Sequence, residues 1–380
     1  MLLASETKGD IIKFLGDRGP LAHIIAPRWV KDLVSSGISA NSPERPAQWS
    51  HELPAGIASA ESKVNFIVAA EDAVQERGFV AALRAQRKTR VFGIFQHVLP
   101  AILSGANGLA TGQSVAGINR YALLCVPRSG SRYLAAVLSN RGMGAPREHI
   151  REPLACVITQ GKLGFAAAMT ALERFGQRNG IFGTKLISTF LIKSSNRRMP
   201  ELNANVAWMI DRGYQFFRLE RPLAETATSS YIAFLMSRWH FFGEFDEASR
   251  AKLDGLSFES SAAFEEYVRF RAEQIIVDAV ARQHGIPTIA YSQIEQDIDG
   301  VVGRICAAVG GTPQALTGGA VRLPIPTRSE SPTYTRFARN LAEVLAERQQ
   351  DILPRTVRKL RNLTGLDKAA ATRIIEEAAG

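Results

Sequence analysis

Tyr121-Ala-Leu-Leu-Cys-Val-Pro-Arg-Ser-Gly-Ser-Arg-Tyr-Leu-Ala-Ala-Val-Leu138 joins an apolar run, a tight Pro-Arg-Ser-Gly-Ser turn and an amphipathic helical pattern. A short apolar run bounded by turn residues predicts a buried strand, and apolar residues at helical spacing predict the helix after it. A strand-to-helix turn of this kind aims backbone N–H groups and the positive end of the helix at one point, where a phosphate fits. Arg128 adds charge there, Ser129 and Ser131 add hydroxyls, and Gly130 permits close approach of the backbone.

Working outward, the pattern repeats. Residues 180–186, 214–219 and 288–291 read as further buried strands, and 132–141, 163–175, 223–237, 260–283 and 301–309 as the helices between them. Strands alternating with crossover helices predict an α/β fold with a mainly parallel sheet covered on both faces, whose ligands sit at the carboxyl ends of the strands. Upstream, residues 8–16, 25–35, 61–76 and 79–87 have helical spacing, and 104–117 is a small-residue connector. The expected organisation is a mainly helical N-terminal accessory region over 1–115, an α/β domain over 116–340 and a helical C-terminal tail over 341–380. One helical pattern runs from 335 to 351 before Pro354, and the tail suits docking or a homo-dimer.

The chain has 380 residues, of which 46% are hydrophobic and 22% charged, which excludes a disordered or fibrous protein. Its 46 Lys+Arg against 36 Asp+Glu give a net charge of +10, which favours an anionic partner. The basic residues lie in short clusters with no long single-sign tail, so nucleic acid is not expected, while peripheral contact with an acidic membrane fits. The 3 cysteines, Cys125, Cys156 and Cys306, have no paired spacing, giving neither a disulfide framework nor a metal site and suiting a reducing cytoplasm. Glu6 interrupts any secretory signal, and Pro100 and several glycines argue against a membrane span in the uncharged stretch 91–119.

Two chemistries of the loop are tested by spacing. A nucleotide triphosphatase needs GxxxxGK[ST], but no Lys follows Gly130. A cysteine phosphatase needs an Arg six residues after its nucleophile, but that position after Cys125 is Ser131, so Cys125 reads as a buried strand residue.

The loop 127–131, followed by Gly144-Ala-Pro-Arg-Glu148, resembles the bacterial carbohydrate sulfotransferases of the trehalose 2-sulfotransferase type, related to the Nod-factor and lipopolysaccharide sulfotransferases. The resemblance implies a sulfotransferase fold, a P-loop-like parallel sheet flanked by helices. It also implies 3′-phosphoadenosine 5′-phosphosulfate (PAPS) as co-substrate, no metal, and a carbohydrate or glycolipid acceptor. By it Glu148 is the catalytic base, although from the residues alone it reads as one charge in a solvated run. Gly180-Ile-Phe-Gly-Thr-Lys185-Leu is similar to the family's strand carrying an active-site Lys, with a snorkelling Lys as the plain reading. Arg221, at a strand end, and Ser229, eight residues on, resemble the 3′-phosphate site. A guanidinium fork and a hydroxyl two helical turns along can reach one phosphate, and Ser230 is the neighbouring candidate.

The loop residues Arg128, Ser129, Gly130 and Ser131 would hold the 5′-phosphosulfate, with Arg132 and Tyr133 standing where the family commonly has smaller residues. Arg328, with Ser329, would close over the nucleotide, and the 238–240 tract ending near Trp239 would face the acceptor or simply pack. Two other classes stay open: a P-loop kinase-like phosphotransferase, and a degenerate anion-binding scaffold.

Overall fold

The computed structural model describes Leu21–Ile25, Gln48–Ser50, Asn65–Val68, Ala81, Val91–Gly93 and residues 117–379, the last without 152–153, 160, 162, 237–246 and 312–330. In chain order the first elements are β1 (Leu21–Ile25), β2 (Gln48–Ser50), β3 (Asn65–Val68), β4 (Val91–Gly93), β5 (Asn119–Cys125), α1 (Ser131–Asn140), α2 (Leu154–Thr159) and α3 (Phe165–Gly176). Then come β6 (Ile181–Ile187), α4 (Ser188–Ser194), α5 (Met199–Asp211), β7 (Tyr214–Glu220), α6 (Leu223–Leu235), α7 (Glu247–Asp254) and α8 (Ser260–Gln283). The remainder is β8 (Thr288–Ala290), α9 (Tyr291–Gln296), α10 (Ile298–Val309), α11 (Pro332–Glu347), α12 (Gln349–Thr364) and α13 (Lys368–Ala379).

The chain divides into two compact units, one of Met1–Gly117 with His149–Gln177, the other of Ile118–Glu148 with Arg178–Gly380. In the first, β1–β4 form a parallel sheet in the order β2-β1-β3-β4. Here the expectation of a helical region is corrected: β3 lies inside the stretch 61–76 expected as a helix, and Ile25, where another was expected to begin, ends β1. Asn-Phe-Ile-Val is a run too short for periodicity to separate strand from helix, and its β-branched residues suit a sheet. The expected helix at 8–16 and the connector up to residue 116 lie outside the described residues.

In the second unit, β5–β8 form a four-stranded all-parallel sheet in the order β6-β5-β7-β8, as the alternating pattern predicts. β5 and β6 are central or covered, and from Arg120 onward every residue of both is buried, which is why they read as continuous apolar runs. Odd-numbered residues of β5, Tyr121, Leu123 and Cys125, share one core with Leu134 and Leu138 of α1 and with Val301, Val302, Ile305 and Val309 of α10. The opposite face of β5 meets α8, so helices cover both faces. Tyr121 crosses to the next strand over Gly183, where an added Cβ would lie 2.4 Å from the ring, and donates its hydroxyl to the Met143 carbonyl at 2.7 Å. The single helix expected at 335–351 is divided at Arg348, where α11 ends and α12 begins; α12 continues through Pro354, and α12 and α13 pack with α8.

No helix among the described residues is long and apolar enough to cross a membrane.

Candidate functional site

The loop from Pro127 to Gly130 leaves the carboxyl end of β5 and enters α1, and its backbone is unusual at two positions. Gly130 has φ 84° and ψ 0° as the N-terminal cap of α1, and Arg128 has φ 70°, left-handed although it is not glycine. A side chain at Gly130 has no room: an added Cβ would stand 2.6 Å from the ring of Tyr291, the first residue of α9 after β8. Ser129 and Ser131 are buried beneath the loop. Their hydroxyls face the Cys125 thiol, yet burial outweighs them and pushes that thiol's pKa up. Cys125 is thus a protonated core residue, as its spacing implied, rather than a nucleophile.

Three strand ends converge on the loop. From the end of β7, Arg221 donates from Nη to the Arg128 carbonyl at 3.3 Å and from Nε to Glu225 Oε2 at 3.2 Å, and its guanidinium lies 4.4 Å from the centre of the Tyr291 ring. From the end of the second turn of α6, Ser229 accepts a hydrogen bond from Arg128 Nε at 3.2 Å. Arg128 therefore ties the Arg221 and Ser229 candidates to the loop. Burial first, then the neighbouring Arg221 and Arg132 charges, pull the Arg128 pKa down to about 10. It remains a cation at neutral pH, but one pressed against two others in a poorly solvated place, which is the electrostatic condition for holding an anion. Ser230 is fully buried and its hydroxyl has no hydrogen-bond partner, so both serines flagged by spacing lie inside the fold, with Ser229 the one that meets Arg128.

On the other side of β5, Lys185 of β6 is buried and its Nζ lies 2.9 Å from Glu148 Oε1. Glu148 is brought there by main-chain pairing: Lys185 N–H donates to the Arg147 carbonyl at 2.8 Å, and Arg147 bridges Thr184 as a short parallel addition beside β6. The Glu148 charge also acts on Arg132, whose pKa burial nonetheless lowers. At the carboxyl end of β6, Ser188 and Thr189 donate to the buried Glu273 carboxylate of α8, which Arg269 also meets at 2.8 Å. That network fixes the exit of β6 just beyond Lys185.

The structure thus brings Arg128, Arg221 and Ser229 together and pairs Glu148 with Lys185. Tyr133 packs partly buried against the hydrophobic core of the sheet. Arg328, Ser329 and Trp239 lie outside the described residues. Sequence reasoning missed Glu225 and the role of Tyr291 as the cover of Gly130 and the platform of Arg221. Glu225 stands four residues after Arg221, a spacing that signals an ion pair on a helix face, whereas nothing local marks Tyr291.

Fold and site define a class: a parallel α/β protein with a strand-loop-helix turn joined to two arginines at the carboxyl end of its sheet and a Lys-Glu pair beside it. No family model matches the chain, and a search of curated proteins finds no match.

Proposed function

We propose that this chain is a sulfotransferase that moves a sulfuryl group from PAPS to a hydroxyl of a carbohydrate or glycolipid. The observation that carries the reading is the meeting of Arg221 and Ser229 at Arg128 of the loop. It suits a ligand with two separate phosphate groups, one at the loop amides and one at the end of β7. The nucleotide suits the residues present: the cationic Arg128 and Arg221 meet at the loop, and the neighbouring Ser230 hydroxyl lacks a partner.

In this reading the acceptor oxygen forms a bond to sulfur as the bond from sulfur to the 5′-phosphate oxygen breaks, an in-line displacement like phosphoryl transfer. Glu148 takes the hydroxyl proton, and Lys185, which lies 2.9 Å from it, orients that carboxylate and presents positive charge toward the transferring group. Arg128 and the loop amides stabilise charge building on the leaving phosphate, as preorganised donors do. Arg221 and Ser229 hold the 3′-phosphate and so distinguish PAPS from ordinary adenine nucleotides.

The test is calorimetric titration with adenosine 3′,5′-bisphosphate beside ADP and ATP, all without magnesium. Preference for the 3′-phosphorylated nucleotide is the expected result. Preference for ATP, or a magnesium requirement, would replace this reading with a kinase-like phosphotransferase, and no nucleotide binding would leave an anion-binding scaffold.

A further inference from the structure

Arg221 is only 11% exposed on its side chain, and its guanidinium already has three neighbours of different kinds. The Tyr291 ring supports its face at 4.4 Å and the Arg128 carbonyl accepts from Nη1 at 3.3 Å. Both fix the plane of the guanidinium without carrying a full negative charge. The third neighbour does carry one: Glu225 Oε2 accepts from Nε at 3.2 Å.

Resting on the donor-site reading above, we propose that Glu225 is a built-in counter-anion. Its carboxylate holds the edge of Arg221 that a phosphate group takes, so that ligand binding is an exchange of carboxylate for phosphate and Glu225 sets the affinity of the site for a phosphate at that edge.

Glu225 is placed for such an exchange. It sits in the first turn of α6, and its side chain is 46% exposed, so it can swing into water without moving the helix. Its main chain stays fixed, because the Tyr334 hydroxyl of α11 donates to the Glu225 carbonyl at 3.2 Å. The cluster it serves has the Arg221 and Arg132 charges close enough to Arg128 to help lower its pKa, and a resident carboxylate offsets that repulsion when no ligand is bound. The consequence is a threshold. A 3′-hydroxyl cannot replace the carboxylate, since it brings no charge, whereas a dianionic phosphate restores the pair and adds charge to it. Glu225 therefore weakens binding of every anion that takes this edge, whereas a ligand with no charge there leaves the pair in place and pays nothing for it.

The experiment compares the wild-type chain, Glu225→Gln, Arg221→Ala and the double variant by calorimetry, with adenosine 3′,5′-bisphosphate, AMP and inorganic phosphate as probes. Removing a half-exposed competing ion pair should tighten the bisphosphate by about two- to fivefold in Glu225→Gln, with a smaller change for AMP. In the Arg221→Ala background the same substitution should gain nothing, because the edge being contested is gone. A wild-type chain that prefers the bisphosphate while Glu225→Gln binds it no tighter would overturn the exchange and leave the donor reading standing. A wild-type chain that ignores the bisphosphate would overturn the donor reading. Inorganic phosphate then decides the exchange by itself: an Arg221-dependent gain upholds it, and no gain ends it.

Discussion

Replacing Gly130 with alanine tests the geometry of the loop most directly. Two costs add. The residue has φ 84°, where an L side chain costs about 1–2 kcal/mol. The new methyl group would also lie 2.6 Å from two atoms of the Tyr291 ring. That ring must retreat by about 1 Å to reach ordinary contact, and overpacking of this kind costs about 1–3 kcal/mol. Gly213 supplies the control, since its φ of 88° is nearly the same and an added Cβ there meets nothing within 4 Å. In urea unfolding followed by far-ultraviolet circular dichroism, Gly213→Ala should lose about 1–2 kcal/mol and Gly130→Ala about 2–5 kcal/mol. The excess should shrink when Tyr291→Ala is combined with Gly130→Ala, because the two groups that collide are then both altered. Equal losses at the two glycines would refute the reasoning, since they would mean that the tyrosine ring does not press on the loop.

Glu148→Gln should keep nucleotide affinity within about twofold while turnover of PAPS with its acceptor falls by about a hundredfold or more; equal losses of binding and turnover would remove the base role. Activity should persist in EDTA, read in the same assay. The thiols of Cys125 and Cys306 are both buried, and burial raises the pKa of each. In a Cys156→Ser chain, a thiol reagent at neutral pH should therefore label nothing quickly until denaturant is added. Fast labelling of Cys125 in the folded chain would revive a nucleophilic role for it.

Much of the second unit was legible because its signals are local. The apolar run at 121–126 falls on β5, which starts two residues earlier and ends at Cys125, and the run is buried throughout. The helix expected at 260–283 is α8 with the same ends, since its length and spacing leave no competing reading. The strand expected at 180–186 is displaced by one residue, to Ile181–Ile187. The helix beginning at Ile298 starts three residues earlier than its apolar spacing suggested, because Asp297 caps it by accepting from the Gly300 N–H at 2.9 Å. Pro354 suggested an ending, but it lies within the second turn of α12, which carries on past it.

The N-terminal strands were illegible for a different reason. They are only 3 to 5 residues long, shorter than the window in which a period of 2 and one of 3.6 can be told apart. In the site, Arg221 and Ser229 could be paired from spacing because one strand end and one helix carry both. Tyr291 arrives from β8, far along the chain, and a stacking contact across a sheet has no sequence period to betray it.

The short main-chain pairing that carries Glu148 has a consequence for how such a site changes over time. The carboxylate follows a residue that is stitched to β6 by the Lys185 N–H at 2.8 Å, so its position is inherited from the stiffest part of the molecule. The preceding turn is anchored as well: residues 143–146 are buried, and the Met143 carbonyl accepts from the Tyr121 hydroxyl. Variation would stop at Gly144, whose added Cβ would stand 2.8 Å from the Ile181 carbonyl. A carboxylate held from both sides moves only if the sheet moves, so under the proposed function a different acceptor would have to be accommodated by residues outside 143–148.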